Sequence, residues 1–353
     1  MGDFVRTTNL LICVLLLPVF PQDCFGQLKV DDISGICFDN STNTLEFVGD
    51  DDSGRIFTMQ MPTVRNQVSK GVYTIPVAPS SARSPRFGRS LLPDLESIDK
   101  LAGGGTVVLS ERLRAVVRDW QTLVEFQEPF TELGNRGLEG LSIRPSEKPG
   151  WSSVIVCWEG GFPEEKDLPF LPGKTLPSQY QNPVVVKFKI DNFSQPLEAK
   201  SEAKKKGHIA VHQYDVIIPQ EDGWAFRLTD LVWHKFSDGE WGFIGLIGSE
   251  NPKVKFDPDN PRSRFKHSRL QAFRLATNNK ESQVYVPKGL SLDLKTLFPN
   301  DKLNEVNWEG LDWTEEGKEL VLCFDGFFNG KYPEVFGIVN LEEFASPREE
   351  IDE

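Results

Sequence analysis

Short apolar runs separated by polar turns dominate the chain. Runs rich in Val, Ile, Leu and Phe are bounded by Gly, Pro, Asn or Asp, a pattern typical of β-strands. Examples are VVLSERL, SSVIVCWEG, PVVVKFKI, GFIGLIGSE and ELVLCFDGF. The one helix-friendly stretch, PLEAKSEAKKKG (196–207), has no apolar stripe and is expected to be an exposed charged loop. The pattern predicts an all-β fold with almost no helix.

A strand–turn–strand unit recurs along the chain. It covers residues 32–54, 94–112, 137–161, 227–251 and 307–327. Each copy opens on a small or acidic pair, continues through two apolar strands and closes on an acidic residue. Such repetition is typical of a β-propeller, in which four-stranded blades surround a central channel. Wide gaps after the third and fourth units leave five and six blades both open. A β-sandwich is the alternative, but it would not explain an acid at one phase of each hairpin.

The acids of these units predict a carboxylate-lined mouth of the channel. The opening and closing positions of an antiparallel hairpin lie at the same end, about 5 Å apart. The opening positions are Ser34, Glu96, Glu139, Asp230 and Glu309. The closing positions are Asp50 or Asp51, Glu111, Glu159, Glu250 and Asp325. If the first strand of each unit is innermost, eight of these carboxylates converge: Glu96, Glu111, Glu139, Glu159, Asp230, Glu250, Glu309 and Asp325.

Carboxylates so close together stay ionised only when a cation or hydrogen bonds relieve their repulsion. Oxygen-only ligation, with no cysteine or histidine cluster, favours Ca²⁺, then Mg²⁺, over zinc. A simpler interpretation stays open, in which each acid accepts backbone N–H bonds and holds a turn.

The ends of the 353-residue chain differ from its middle. Arg6 and the apolar run LLICVLLLPVF (10–20) predict a secretory signal peptide over residues 1–26, because eleven apolar residues are too few to span a bilayer. An uncleaved membrane anchor is the alternative. Residues 27–345 then form one exported propeller domain with no membrane span, expected to be a monomer. The acidic end, 346–353, is expected to be disordered.

Charge and cysteine content narrow the chemistry. The formal net charge of −13 disfavours nucleic acid as a partner. Cys37, Cys157 and Cys323 lie in apolar runs and are expected to be buried thiols, not disulfides or zinc ligands. There is no G-x-S-x-G motif, so a serine hydrolase of that type is unsupported, and no nucleotide or organic cofactor is expected.

The order of the motifs resembles the phytase-like family, whose members are described as having an esterase-like activity of phytase. The resemblance covers roughly residues 30–330, and NRGLEGL with NWEGLDW is its most specific part. It implies an exported β-propeller and does not specify a reaction, because the family is named largely by association with phytate hydrolysis. The chain departs from the usual pattern at FDGFFNG, where an Asp-Asn pair is common, and at GLIGSEN, where Glu-Arg is usual.

Two functional hypotheses follow. In the first, the protein is a Ca²⁺-dependent hydrolase of small phosphoesters or esters, with Glu139 and Glu309 as catalytic candidates. Arg112 and Arg136 would then bind substrate phosphate, unless they only pair with channel acids. In the second, it is a non-catalytic secreted propeller that binds a ligand or protein on its acidic face. Gluconolactonase-like propellers, also carboxylate–metal enzymes, are a third possibility, although their sequence pattern is not evident.

Overall fold

The computed structural model describes most of the strand-forming chain. The described residues are 33–49, 54–62, 65, 74–76, 81–83, 86–87, 90–91, 94–102, 104–118, 121–126, 137–160, 183–192, 212–218, 225–250, 265–278, 282–297, 308–324 and 335–341. The expected signal peptide (1–26) and acidic tail (346–353) lie outside them, so both stay predictions. Within the described ranges, no helix has the length and apolarity needed to cross a bilayer.

Twenty strands of the described chain build five four-stranded blades. Blade 1 contains β1 (Ile33–Asp39), β2 (Thr44–Gly49), β3 (Ile56–Gln60) and β5 (Ser81–Arg83). Blade 2 contains β8 (Leu95–Lys100), β9 (Thr106–Ser110), β10 (Ala115–Arg118) and β11 (Gln121–Glu125). Blade 3 contains β12 (Leu138–Pro145), β13 (Trp151–Trp158), β14 (Val184–Asp191) and β15 (His212–Val216).

The last two blades complete the ring. Blade 4 contains β16 (Ala225–Lys235), β17 (Trp241–Glu250), β18 (Phe265–Asn278) and β19 (Ser282–Asp293). Blade 5 contains β20 (Trp308–Glu315), β21 (Glu319–Phe324), β22 (Val335–Asn340) and, from the N-terminal half, β4 (Thr74–Pro76). A short ribbon of β6 (Arg86–Phe87) and β7 (Ser90–Leu91) and a one-turn helix, α1 (Leu294–Leu297), complete the described elements.

The first strands of the blades form a closed inner ring. β1 contacts β8, β8 contacts β12, β12 contacts β16, β16 contacts β20, and β20 contacts β1 again. This closure confirms the predicted all-β propeller, and the described strands make five blades. Blades 3 and 4 are also joined at their outer edges, where β15 and β19 pair in parallel.

Hydrophobic clusters fill the spaces between neighbouring blades. Each of the five clusters takes its side chains mainly from two adjacent blades, with Trp158 and Trp308 among the largest fully buried side chains. Cys37, Cys157 and Cys323 are buried free thiols, as the sequence predicted. Because every blade covers its apolar faces against two neighbours, the ring buries a core that one blade could not.

Polar side chains of the inner strands tie each blade to the next. Their oxygens accept backbone N–H bonds across the blade boundary, which satisfies buried amides that the sheets leave unpaired. Asp99 accepts from Ile143, Ser142 from Trp233, Asp230 from Leu311, and Asp312 from Phe38. Each of these bonds positions one inner strand against the next.

Candidate carboxylate site at the channel mouth

Every inner strand contains a β-bulge. The antiparallel register shifts by one residue at the first paired position of four of these strands, and after the fourth paired position of β16. The residues that directly follow the last pair before the shift are Ser34, Glu96, Glu139, Thr229 and Glu309. A bulge redirects a side chain out of the regular alternation, which explains how adjacent apolar and acidic residues both find suitable surroundings.

Asp230 occupies a different phase from the one that the sequence suggested. It pairs with Leu246 in the ladder, and Thr229 takes the bulge position instead. The Asp230 carboxylate accepts the N–H groups of Leu231 at 2.8 Å and Leu311 at 2.6 Å, so it joins blade 4 to blade 5. The geometry therefore shows that Asp230 accepts backbone N–H bonds, which is the simpler interpretation considered for these acids.

Other predicted site residues also lie away from the bulge positions at the channel mouth or outside the described residues. Glu250 pairs with Ala225. Leu228, the last residue paired before the bulge, pairs with Ile247, so the closing position beside the bulge is Gly248 and not Glu250. Arg112 is exposed in the turn between β9 and β10. Arg136 and Asp325 lie outside the described residues.

The remaining predicted acids gather at one end of the channel. Burial, and then the charges of Glu159, Glu111 and Glu309, raise the pKa of Glu139 well above the usual value of 4.5. The structure therefore brings these four carboxylates, from blades 2, 3 and 5, into one electrostatic cluster. The Glu159 backbone helps to position them, because its N–H donates to Gly137 O and its carbonyl accepts from Leu228, each at 3.2 Å.

Two arginines that the sequence reasoning missed lie among these acids. Arg227 Nη1 lies 3.1 Å from Glu159 Oε2, and Arg227 Nη2 lies 3.8 Å from Glu309 Oε1. Arg114 Nη1 lies 3.1 Å from Glu111 Oε1. Both arginines were overlooked because Arg112 was selected for following Glu111 and Arg136 for preceding Gly137 in the sequence. The useful signal is position relative to the strand, since Arg227 stands two residues before the bulge of β16.

Gly137 makes room for one of these ion pairs. A Cβ at this position would collide with Arg114 Nη1 and with the Glu111 side chain. The glycine in NRGLEGL therefore allows a side-chain pair from blade 2 to lie directly against the backbone of blade 3.

Blade 2 also supplies three carboxylates that fit a metal ion. One oxygen from each of Asp94, Glu96 and Glu111 lies within 4.8 Å of the other two. Ca²⁺–oxygen distances of about 2.3–2.6 Å place opposite ligands about 5 Å apart, so three such oxygens can share one ion. Asp94, with a left-handed φ of 60°, was not identified from the sequence, although it directly precedes the strand LESIDK.

The protonation of Glu111 depends on this environment. Burial raises its pKa to about 7, and the nearby Arg114 opposes that shift while Glu159 and Asp94 add to it. A cation bound by Glu111 would favour the ionised form. The described mouth holds six carboxylates and two guanidinium groups, so it attracts cations and has groups able to keep a proton near neutral pH.

Comparisons with known proteins show propellers only at low similarity. No known protein-family profile matches the chain, and no curated protein sequence matches it. A candidate gluconolactonase of known structure is 9% identical, covering 88% of this chain and 89% of its own, with a TM-score of 0.39. A gluconolactonase from Xanthomonas campestris is 9% identical (88% and 87% covered, TM-score 0.35). The calcium-binding protein regucalcin from Agrobacterium tumefaciens is 7% identical (88% and 90% covered, TM-score 0.34). The fold assignment therefore rests on the sheet topology.

Proposed function

We propose that the protein is a metal-dependent hydrolase of small esters or phosphoesters that acts at the carboxylate mouth. The observation that carries the proposal is Glu139, a carboxylate whose pKa is raised by burial and by three neighbouring acids. Clusters of carboxylates with perturbed pKa values in a channel mouth are typical of catalytic sites. The phytase-like resemblance of NRGLEGL and NWEGLDW supports phosphoesters such as phytate as the first substrates to test.

The residues divide into three roles in this proposal. Asp94, Glu96 and Glu111 would hold the ion, for which Ca²⁺ is the best fit. Bound there, the ion would polarise a substrate oxygen and activate water. Glu139, whose pKa is raised by burial and by its acidic neighbours, is the candidate general acid. Arg227, between Glu159 and Glu309, would hold those carboxylates in place.

Calcium dependence is tested by thermal unfolding of the full chain. Addition of Ca²⁺ is expected to raise the unfolding temperature by several degrees and EDTA to reverse it, because an ion that binds only the folded state stabilises it. Glu96→Gln should abolish this shift, whereas Glu240→Gln, which changes an exposed turn, should leave it intact. An unfolding temperature that does not respond to Ca²⁺ contradicts the metal site.

Activity is tested on phytate, an aryl phosphate and an aryl ester. Glu139→Gln is expected to retain the Ca²⁺ shift but to lose at least about 100-fold in kcat, since a positioned acid contributes about 10²–10⁴-fold. Wild-type inactivity on all three compounds, with the Ca²⁺ shift present, would favour the alternative of a non-catalytic propeller. The ion pairs of Arg114 and Arg227 within the mouth are the feature that suits that alternative.

A further inference from the structure

A second charged site lies at the end of the channel opposite the carboxylate mouth. Arg144 follows Glu139 by five residues along β12, which corresponds to about 16 Å. Its guanidinium carbon lies 4.7 Å from the centre of the Trp233 ring and 4.1 Å from that of Trp241. The two rings are 6.1 Å apart and nearly perpendicular, at 87°. The guanidinium group is therefore held in the corner between two indoles.

A second cation shares this corner. The ladder places Lys187 beside Ile155 and Ile155 beside Ser142, so Lys187 lies on the same face of blade 3 as Arg144. Its Nζ is 5.5 Å from the centre of the Trp233 ring. Burial lowers the pKa of both groups, and the charge of Arg144 lowers the pKa of Lys187 further.

Neither cation has a carboxylate in direct contact within the part of the chain that the structure describes, although the charges of Glu147 and Glu316 act on Arg144 from further away. Within that part of the chain, neither Arg144 nor Lys187 makes an ion pair with a carboxylate. Arg144 Nη1 donates to Pro145 O at 3.0 Å, but Arg144 Nε and Trp233 Nε1 are buried donors with no acceptor among the described residues. Buried donors without acceptors cost free energy. Two neighbouring cations in a protein of net charge −13 therefore suggest a site for an anionic ligand.

We propose that this corner between blades 3 and 4 binds the carboxylate or phosphate group of a small molecule. Arg144 would bind the oxyanion through its guanidinium group, which can donate two parallel bonds to two oxygens. Lys187 supplies the second positive charge. The two indoles fix the guanidinium before the ligand arrives, and the half-buried ring of Trp241 offers an apolar surface to the rest of the molecule.

Anion titration of the full-length protein tests this site. Tryptophan fluorescence is followed while inorganic phosphate or succinate replaces chloride at constant ionic strength, with EDTA present. Because the site uses no metal, its outcome is independent of the Ca²⁺ site and of ester turnover. We expect a saturable change with at least one of the two anions. Saturation by phosphate alone identifies a phosphorylated ligand, and saturation by succinate alone identifies a carboxylate.

Variants distinguish a specific anion-binding site from a general effect of positive charge on the protein surface. Arg144→Gln and Lys187→Gln are each expected to weaken binding at least about tenfold. Lys187→Arg should keep most of it. Lys148→Gln removes another lysine that lies over a tryptophan, 3.9 Å from the Trp151 ring centre, and should not change binding. Circular dichroism checks that each variant is folded. No saturable change with either anion, or equal binding by all folded variants, would overturn the proposal.

Discussion

At the scale of single residues, Asp312 shows how one carboxylate joins two blades. Its Oδ2 accepts the Phe38 N–H of blade 1 at 2.6 Å, and its Oδ1 accepts the Trp313 N–H at 2.7 Å. Burial raises its pKa to about 7, although both hydrogen bonds favour the ionised form. Asp99 has a raised pKa as well, from burial and then from the charge of Asp312. The channel therefore contains acids that the folded state prefers to keep protonated.

Asp312 predicts how stability depends on pH. Its pKa is about 7 in the folded protein and about 3.8 in the unfolded chain, so the folded state binds the proton more tightly between these values. Stability from this residue is present below pH 4 and falls as the pH rises towards 7. Chemical denaturation at a series of pH values should show that Asp312→Asn reduces this fall by up to about 4 kcal/mol.

Asp39 provides the matched control for that measurement. Lys100 bonds to its carboxylate and holds its pKa below the usual range against the cost of burial, so it contributes stability that is lost on acidification. Asp39→Asn should therefore leave the fall between pH 4 and 7 unchanged. A wild-type fall that persists in full in Asp312→Asn would show that Asp312 does not cause it.

Single side chains at the mouth were only partly predictable. Glu96, Glu111, Glu139, Glu159 and Glu309 were found because each recurs at the start or end of an apolar hairpin. Asp230 was assigned by its charge, whereas the ladder gives the bulge to Thr229. Asp94 and Arg227 were missed because their roles depend on which atoms of neighbouring blades lie nearby. A local sequence pattern does not contain those long-range distances.

At the scale of elements, the bulged start of each inner strand decides how closely the blades approach. Gly35 is the clearest case, because a Cβ there would lie 2.5 Å from Ser97 Cα and 2.6 Å from Glu96 O. Both atoms belong to the backbone of β8, so no side-chain rotation can relieve the contact. The small residue after the bulge therefore allows blade 1 to pack against blade 2.

Gly35→Ala is accordingly expected to destabilise the fold by about 1–3 kcal/mol, the usual cost of overpacking. Gly248→Ala is the matched control within a strand, because its nearest contacts would lie at an ordinary 3.6 Å and its φ is not left-handed. Urea unfolding measures both variants. Equal stability of the two would show that the close approach of β1 and β8 can relax without cost.

Strand prediction succeeded where hydrophobic runs were long and failed where pairing was distant. The five hairpins were evident because each has two apolar runs around a turn. By contrast, β4 and β5 are three residues each, and their partners are chosen by tertiary position. The parallel pairing of β15 with β19 is equally invisible, since it joins strands that are far apart in the chain.

At the scale of the whole molecule, β4 links the two ends of the ring. After β3 in blade 1, the chain adds β4 to the outer edge of blade 5 and then returns to blade 1 as β5. β4 pairs antiparallel with β22, where Ile75 faces Phe336. The first and last blades are thus joined by backbone hydrogen bonds at the rim, in addition to the Asp312–Phe38 bond at the channel.

This linkage predicts that a C-terminal truncation that removes β22 destabilises the fold much more than one that spares β22. A chain ended after Phe324 lacks β22, so β4 loses its partner and blade 5 keeps only β20 and β21. Its unfolding temperature, measured by circular dichroism, should fall by more than about 10 °C or the cooperative transition should disappear. A chain ended after Leu341 keeps β22 and the Leu341 N–H bond to Lys318 O, and should unfold within a few degrees of the full chain. If both truncated chains unfold alike, the pairing of β4 with β22 does not hold the ring closed.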